Sequence, residues 1–124
     1  MSGINFLVDT NILIYLLKGQ PDVEEMLNGK NIFCSFISEL ELLSKKDLKA
    51  AEINSIKLPL EDCIIVDVNK GIKDRVVELR RVHQMKLPDA IIAATATENG
   101  MQLTTGNAKH FKSIKELELR VFKP

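Results

Sequence analysis

Four short apolar runs, at residues 6–8, 31–37, 63–68 and 101–104, recur along the chain with helical segments between them. A brief continuous apolar run is the pattern of a strand covered on both faces. Strands alternating with helices predict an α/β fold with a central, mostly parallel sheet. A fifth run, at 119–121, alternates with charge and suits a sheet edge. With 124 residues, one core and one domain spanning 1–124 are expected, around a sheet of about four to five strands.

The first run ends abruptly on Asp9-Thr10-Asn11, three good helix-capping residues in succession. A helix apolar all round follows at 12–17, and Pro21 opens a second that closes at Asn28-Gly29. Ser38 and Glu41 stand at capping-box spacing after the second strand. A turn at 45–47 separates that helix from a weaker one expected to end before Pro59. An amphipathic helix is predicted at 71–85, with His83 on its apolar side and Lys70, Lys73, Arg80 and Arg81 on the other. Leu87-Pro88-Asp89 opens a further helix ending near Asn99-Gly100, and a short helix is expected at 108–114 with Asn107 as its cap.

The formal net charge is zero, so no global field marks nucleic acid or an anionic membrane as partner, and any such contact must be local. No apolar run reaches the ~18 residues of a membrane span, and the N-terminus has no basic region followed by an apolar core. A cytoplasmic protein is expected. Cys34 and Cys63 form no metal or disulfide spacing and read as buried, reduced thiols. Trp is absent and aromatics are scarce, which argues against base-stacking platforms and leaves the backbone as the handle for a nucleic acid.

Three carboxylates share one setting: Asp9 ends a strand, Glu41 lies one turn into a helix that follows a strand, and Asp89 starts a helix that leads into one. Strand-helix junctions of a parallel sheet gather at one edge, so the three can converge if the strands are suitably ordered. Two carboxylates ~5 Å apart at an effective dielectric of ~20 repel by roughly 3 kcal/mol, so a converged trio requires protonation or a cation. An all-oxygen site selects Mg²⁺ or Mn²⁺, which can activate water against a phosphodiester. Simpler roles compete at each position: Asp9 as a helix cap, Glu41 as the partner of Ser38, Asp89 as a first-turn acid favoured by the helix dipole. His83 fits a packed core position, His110 a surface one, and the cationic helix face a solvated one.

Four blocks together carry a family resemblance: Phe-Leu-Val-Asp-Thr-Asn-Ile-Leu-Ile (6–14), Cys-Ser-Phe-Ile-Ser-Glu-Leu-Glu-Leu-Leu (34–43), Leu-Pro-Asp-Ala-Ile-Ile-Ala-Ala-Thr-Ala (87–96) and Leu-Thr-Thr-Gly-Asn-Ala-Lys-His-Phe (103–111). The chain resembles the PIN domain family, most closely the small VapC-type toxins of toxin-antitoxin pairs. The resemblance implies a three-layer α/β/α fold and a Mg²⁺- or Mn²⁺-dependent ribonuclease whose metal ligands fall on Asp9, Glu41 and Asp89. Thr10, Asn11, Ser38, Thr105 and Asn107 would support these ligands or touch substrate. Arg80, Arg81 and Lys86 would hold the RNA backbone. Family members often carry a fourth acid in the last block; here Asn107 and His110 occupy the candidate positions, which points to one metal rather than two. The resemblance further implies a homodimer and a small antitoxin partner. Two other readings compete. One is a PIN-like scaffold that binds RNA or protein without cutting. The other is a haloacid dehalogenase-type phosphatase, whose motif needs an acid where this chain has Asn11.

Overall fold

The computed structural model describes residues 5–122. Five strands, β1 (Asn5–Val8), β2 (Asn31–Ser35), β3 (Ile64–Val66), β4 (Gln102–Thr105) and β5 (Leu119–Val121), form one sheet in the order β3-β2-β1-β4-β5. Every pairing is parallel. β1 therefore lies at the centre, and the strand order reverses beside it: β2 and β3 extend to one side, β4 and β5 to the other. Crevices at the carboxyl ends of such reversal points are the usual ligand sites of parallel sheets.

Successive β1 residues feed opposite layers, as the two-residue period of a strand requires. Leu7 enters a core built with Ile72 and Leu79 of α5 (Lys70–Val82) and with Ile92, Ala93 and Ala96 of α6 (Leu87–Asn99). Val8 enters the other core, with Ile12 and Leu13 of α1 (Thr10–Leu17) and Val23 and Leu27 of α2 (Pro21–Leu27). Leu42 of α3 (Phe36–Leu43) and Ile56 and Leu60 of α4 (Ala50–Glu61) complete that layer. The result is the three-layer α/β/α arrangement. Alanines in the middle of α6 let it lie close under the sheet, and Gly100 ends it in the left-handed conformation at φ 63°. Among the described residues, no helix is long and apolar enough to cross a membrane.

Several boundaries differ from the sequence expectation, each for a local reason. β2 stops at Ser35, whose hydroxyl accepts from Ile37 N at 3.2 Å and starts α3 three residues early. Ser38 is consequently inside the helix and fully buried, so the Ser38–Glu41 capping box does not form. α4 runs through Pro59, because a proline in the last turn removes a single hydrogen bond while Leu60 still reaches the core. β3 is limited to three residues, and Asn69 rather than Gly71 opens the next helix, its Oδ1 accepting from Ile72 N at 2.9 Å.

α5 ends at Val82, and His83 beyond it is extended (φ −118°, ψ 144°). His83 is half-buried at that helix end, with Nδ1 3.1 Å from Ser113 Oγ, instead of packing within the core. The expected helix at 108–114 is only a 3₁₀ turn, Ala108–His110, and Asn107 makes no side-chain cap there. Cys34 and Cys63 are buried and free.

Candidate active site

Asp9 lies where the central strand meets α1. Its N–H continues the β1–β4 ladder by donating to Thr104 O at 3.1 Å, which fixes the backbone. Its Oδ1 accepts from Ile12 N at 3.0 Å, so the residue is the helix cap its sequence position allows. Its Oδ2 accepts from the Thr105 hydroxyl at the end of β4. With 5% of its surface exposed, Asp9 is a buried carboxylate. Burial pushes its pKa above the ordinary value, the Thr105 and Ile12 hydrogen bonds partly oppose this, and the negative charge of Asp89 adds to the rise. Capping and membership of an acidic site are thus one geometry, not alternatives.

Glu41 reaches the same place from α3. Thr10 Oγ1 stands 2.8 Å from Glu41 Oε1 and 2.9 Å from Ser38 Oγ. A hydroxyl has one proton to give, and a carboxylate can only accept it. Thr10 therefore donates to Glu41 and receives from the buried Ser38. This chain of two hydroxyls ties the acid on α3 to the residue that follows Asp9.

Asp89 comes from the first turn of α6, directly after Pro88. That helix leads into β4, the neighbour of β1, so its N-terminus lies at the sheet edge where β1 ends. The His110 ring approaches it, with Nδ1 3.4 Å from Asp89 Oδ2. Asn107 donates its backbone N–H to Thr105 Oγ1 at 2.9 Å and so braces the hydroxyl that holds Asp9.

Asp9, Glu41 and Asp89 line one cleft of about 410 Å³, together with Thr10, Asn11 and Asn107. Lys86 lines it too. Ser38 and Thr105 are buried beneath it and act on it through Thr10 and Asp9. Arg80 and Arg81 are not in its wall; Arg81 borders a separate groove with Asp74 and Glu78 on the outer face of α5. Two further residues line the cleft: Lys45, expected only as part of a turn although it follows Glu41 by four positions, and His110, which is exposed as the sequence suggests and borders the cleft as well.

The donors are carboxylate, amide and hydroxyl oxygens, the chemistry of a hard cation. Among the described residues, no three His, Cys, Asp or Glu side chains stand close enough to hold one ion directly. Mg²⁺ asks for less, since it keeps several waters and is commonly bound through one or two carboxylates. The cleft fits a hydrated ion touched directly by one or two acids and through water by the remainder.

Comparison with known proteins agrees with this geometry. The PIN domain family model matches residues 6–117. Among solved structures, a toxin-antitoxin complex from Klebsiella pneumoniae contains a chain 33% identical to this one, with 90% of this chain and 93% of that chain covered and a TM-score of 0.77. VapBC2 from Rickettsia felis, bound to a DNA fragment from its promoter, is 26% identical over 97% of this chain and 100% of that chain, with a TM-score of 0.87. VapBC-1 from nontypeable Haemophilus influenzae, at 24% identity over 95% of this chain and 98% of that chain, shares the fold with a TM-score of 0.83. No curated protein gives a significant sequence match. Four sequence blocks, a five-stranded parallel sheet and these relatives converge: the chain belongs to the PIN domain family and is most like its VapC-type members.

Proposed function

We propose that the acidic cleft is the active site of a Mg²⁺- or Mn²⁺-dependent ribonuclease that hydrolyses phosphodiester bonds, and that the chain is the toxin of a VapBC-type pair. One observation carries this reading. Three carboxylates from three separate elements open onto a single cleft at the sheet's reversal point.

When bound, the ion supplies a water of lowered pKa and neutralises charge developing on the phosphate. The chain's own contribution is placement. Asp9 is held by two donors and cannot rotate without breaking both. Thr10 fixes one oxygen of Glu41 and leaves the other free. Asp89 stands at a helix N-terminus, where the macrodipole favours its charge. A homodimer and a small antitoxin that covers the cleft belong to the same reading, and the toxin-antitoxin complexes among the relatives support the antitoxin.

The test is cleavage of a mixed pool of single-stranded RNA. Cleavage that needs Mg²⁺ or Mn²⁺, stops with chelator and disappears in Asp9→Asn supports the proposal. RNA binding with no cleavage under any metal would favour the non-cutting scaffold. Cleavage unchanged in Asp9→Asn would remove the acids from the chemistry.

A further inference from the structure

We infer that Lys45 and Lys86 form a two-point phosphate clamp across the acidic cleft and hold the RNA backbone on either side of the bond to be cut. The inference rests on the ribonuclease reading above and assigns substrate contacts within it.

Two segments that line the cleft carry the same pairing of charges. In one, Glu41 in α3 is followed four residues later by Lys45, just past the helix end. In the other, Lys86, the residue before α6, precedes Asp89 by three. Each segment thus brings an acid and a lysine, three or four positions apart, to the cleft. Both lysines are exposed. The ion pairs among the described residues involve Lys70, Arg75 and His110, and neither Lys45 nor Lys86 takes part in one.

That separation has a chemical meaning. A cleft whose lysines neutralised its acids would need neither a cation nor an anion. Here neither lysine pairs with a cleft carboxylate, which leaves the acids to a divalent ion and the ammonium groups to an anion; the one basic side chain that approaches an acid of the cleft is His110, 3.4 Å from Asp89. A metal-bound phosphodiester flanked by further phosphates satisfies both sets at once. Arg80 and Arg81, cationic and on α5, do not line this cleft, and Arg81 borders a separate groove, so the backbone grip belongs to Lys45 and Lys86.

The experiment is the salt dependence of RNA binding by the full chain in the Asp9→Asn background, with Mg²⁺ present. The probe is a fluorescently labelled 12-nucleotide single-stranded RNA of mixed sequence. For single strands the slope of log K against log salt changes by about 0.7 for each phosphate contact. Lys45→Ala and Lys86→Ala should each flatten the slope by about 0.7, and the double variant by about 1.4, at unchanged melting temperature. Arg80→Ala with Arg81→Ala should leave it where it was. Lys45→Arg should keep most of the slope, which a merely structural role for the side chain would not predict. Binding with a slope indifferent to both lysines would overturn the clamp and leave the ribonuclease reading intact. Absence of RNA binding by the parent protein and by the wild type would overturn that reading itself.

Discussion

Thr105, the last residue of β4, donates its hydroxyl to Asp9 at the end of β1, and the two residues are 96 positions apart in the chain. This bond closes the sheet's reversal point and orients a buried carboxylate. The residue before it behaves differently. Thr104 is equally buried, yet its Oγ1 has no hydrogen-bond partner among the described residues. Opposite outcomes are expected for the same substitution. Thr105→Val strands a carboxylate oxygen and should cost about 1–3 kcal/mol, whereas Thr104→Val removes an unpaired hydroxyl and should be neutral or stabilising. Chemical denaturation of the two variants checks this, and equal losses in both would contradict it.

The raised pKa of Asp9 sets a pH dependence for the metal-free protein. The native value lies above the ordinary 3.8, so between 3.8 and the native value the folded protein binds a proton the unfolded chain has released. Stability from this group therefore rises as pH falls through the native pKa and levels off below 3.8. At neutral pH the ionised carboxylate is a destabilising element. Asn keeps the cap but cannot ionise, so Asp9→Asn should melt at higher temperature than wild type in chelator at neutral pH, with the gap closing on acidification. Asp89→Asn should act in the same direction, since its charge is one cause of the rise. A lower melting temperature in both variants would show that capping outweighs repulsion.

Thr10 offers a test of positioning without touching an acid. It ties Glu41 to the buried Ser38. Partners of this kind typically change metal affinity by about 10- to 100-fold when removed. Thr10→Val should weaken Mn²⁺ binding within that range in a calorimetric titration while secondary structure is retained. Affinity equal to wild type would mean that Glu41 needs no orientation.

Much of this was legible in the sequence because local rules decided it. Strand β5 and the closing glycine of α6 stand where turn chemistry and apolar patterning put them. The order of the strands was not legible, since it depends on crossovers spanning the whole chain, and it is this order that brings Asp89 to Asp9. The Ser38–Glu41 spacing misled because Phe36 and Ile37, apolar enough for a strand, already belong to a helix capped by Ser35. Periodicity cannot separate the two states in so short a run. That Lys45 and His110 border the cleft was not legible for a related reason. Each lies outside the α-helices and strands, and side chains there acquire a direction only from the tertiary fold.

The central claim is that Asp9, Glu41 and Asp89 jointly hold a divalent ion. Electron paramagnetic resonance of Mn²⁺ titrated into the protein measures this directly, because free and bound ions differ in signal. One tight site per chain is predicted in the wild type, with binding weakened sharply in each of Asp9→Asn, Glu41→Gln and Asp89→Asn. Mn²⁺ binding that survives all three substitutions unchanged would contradict the account.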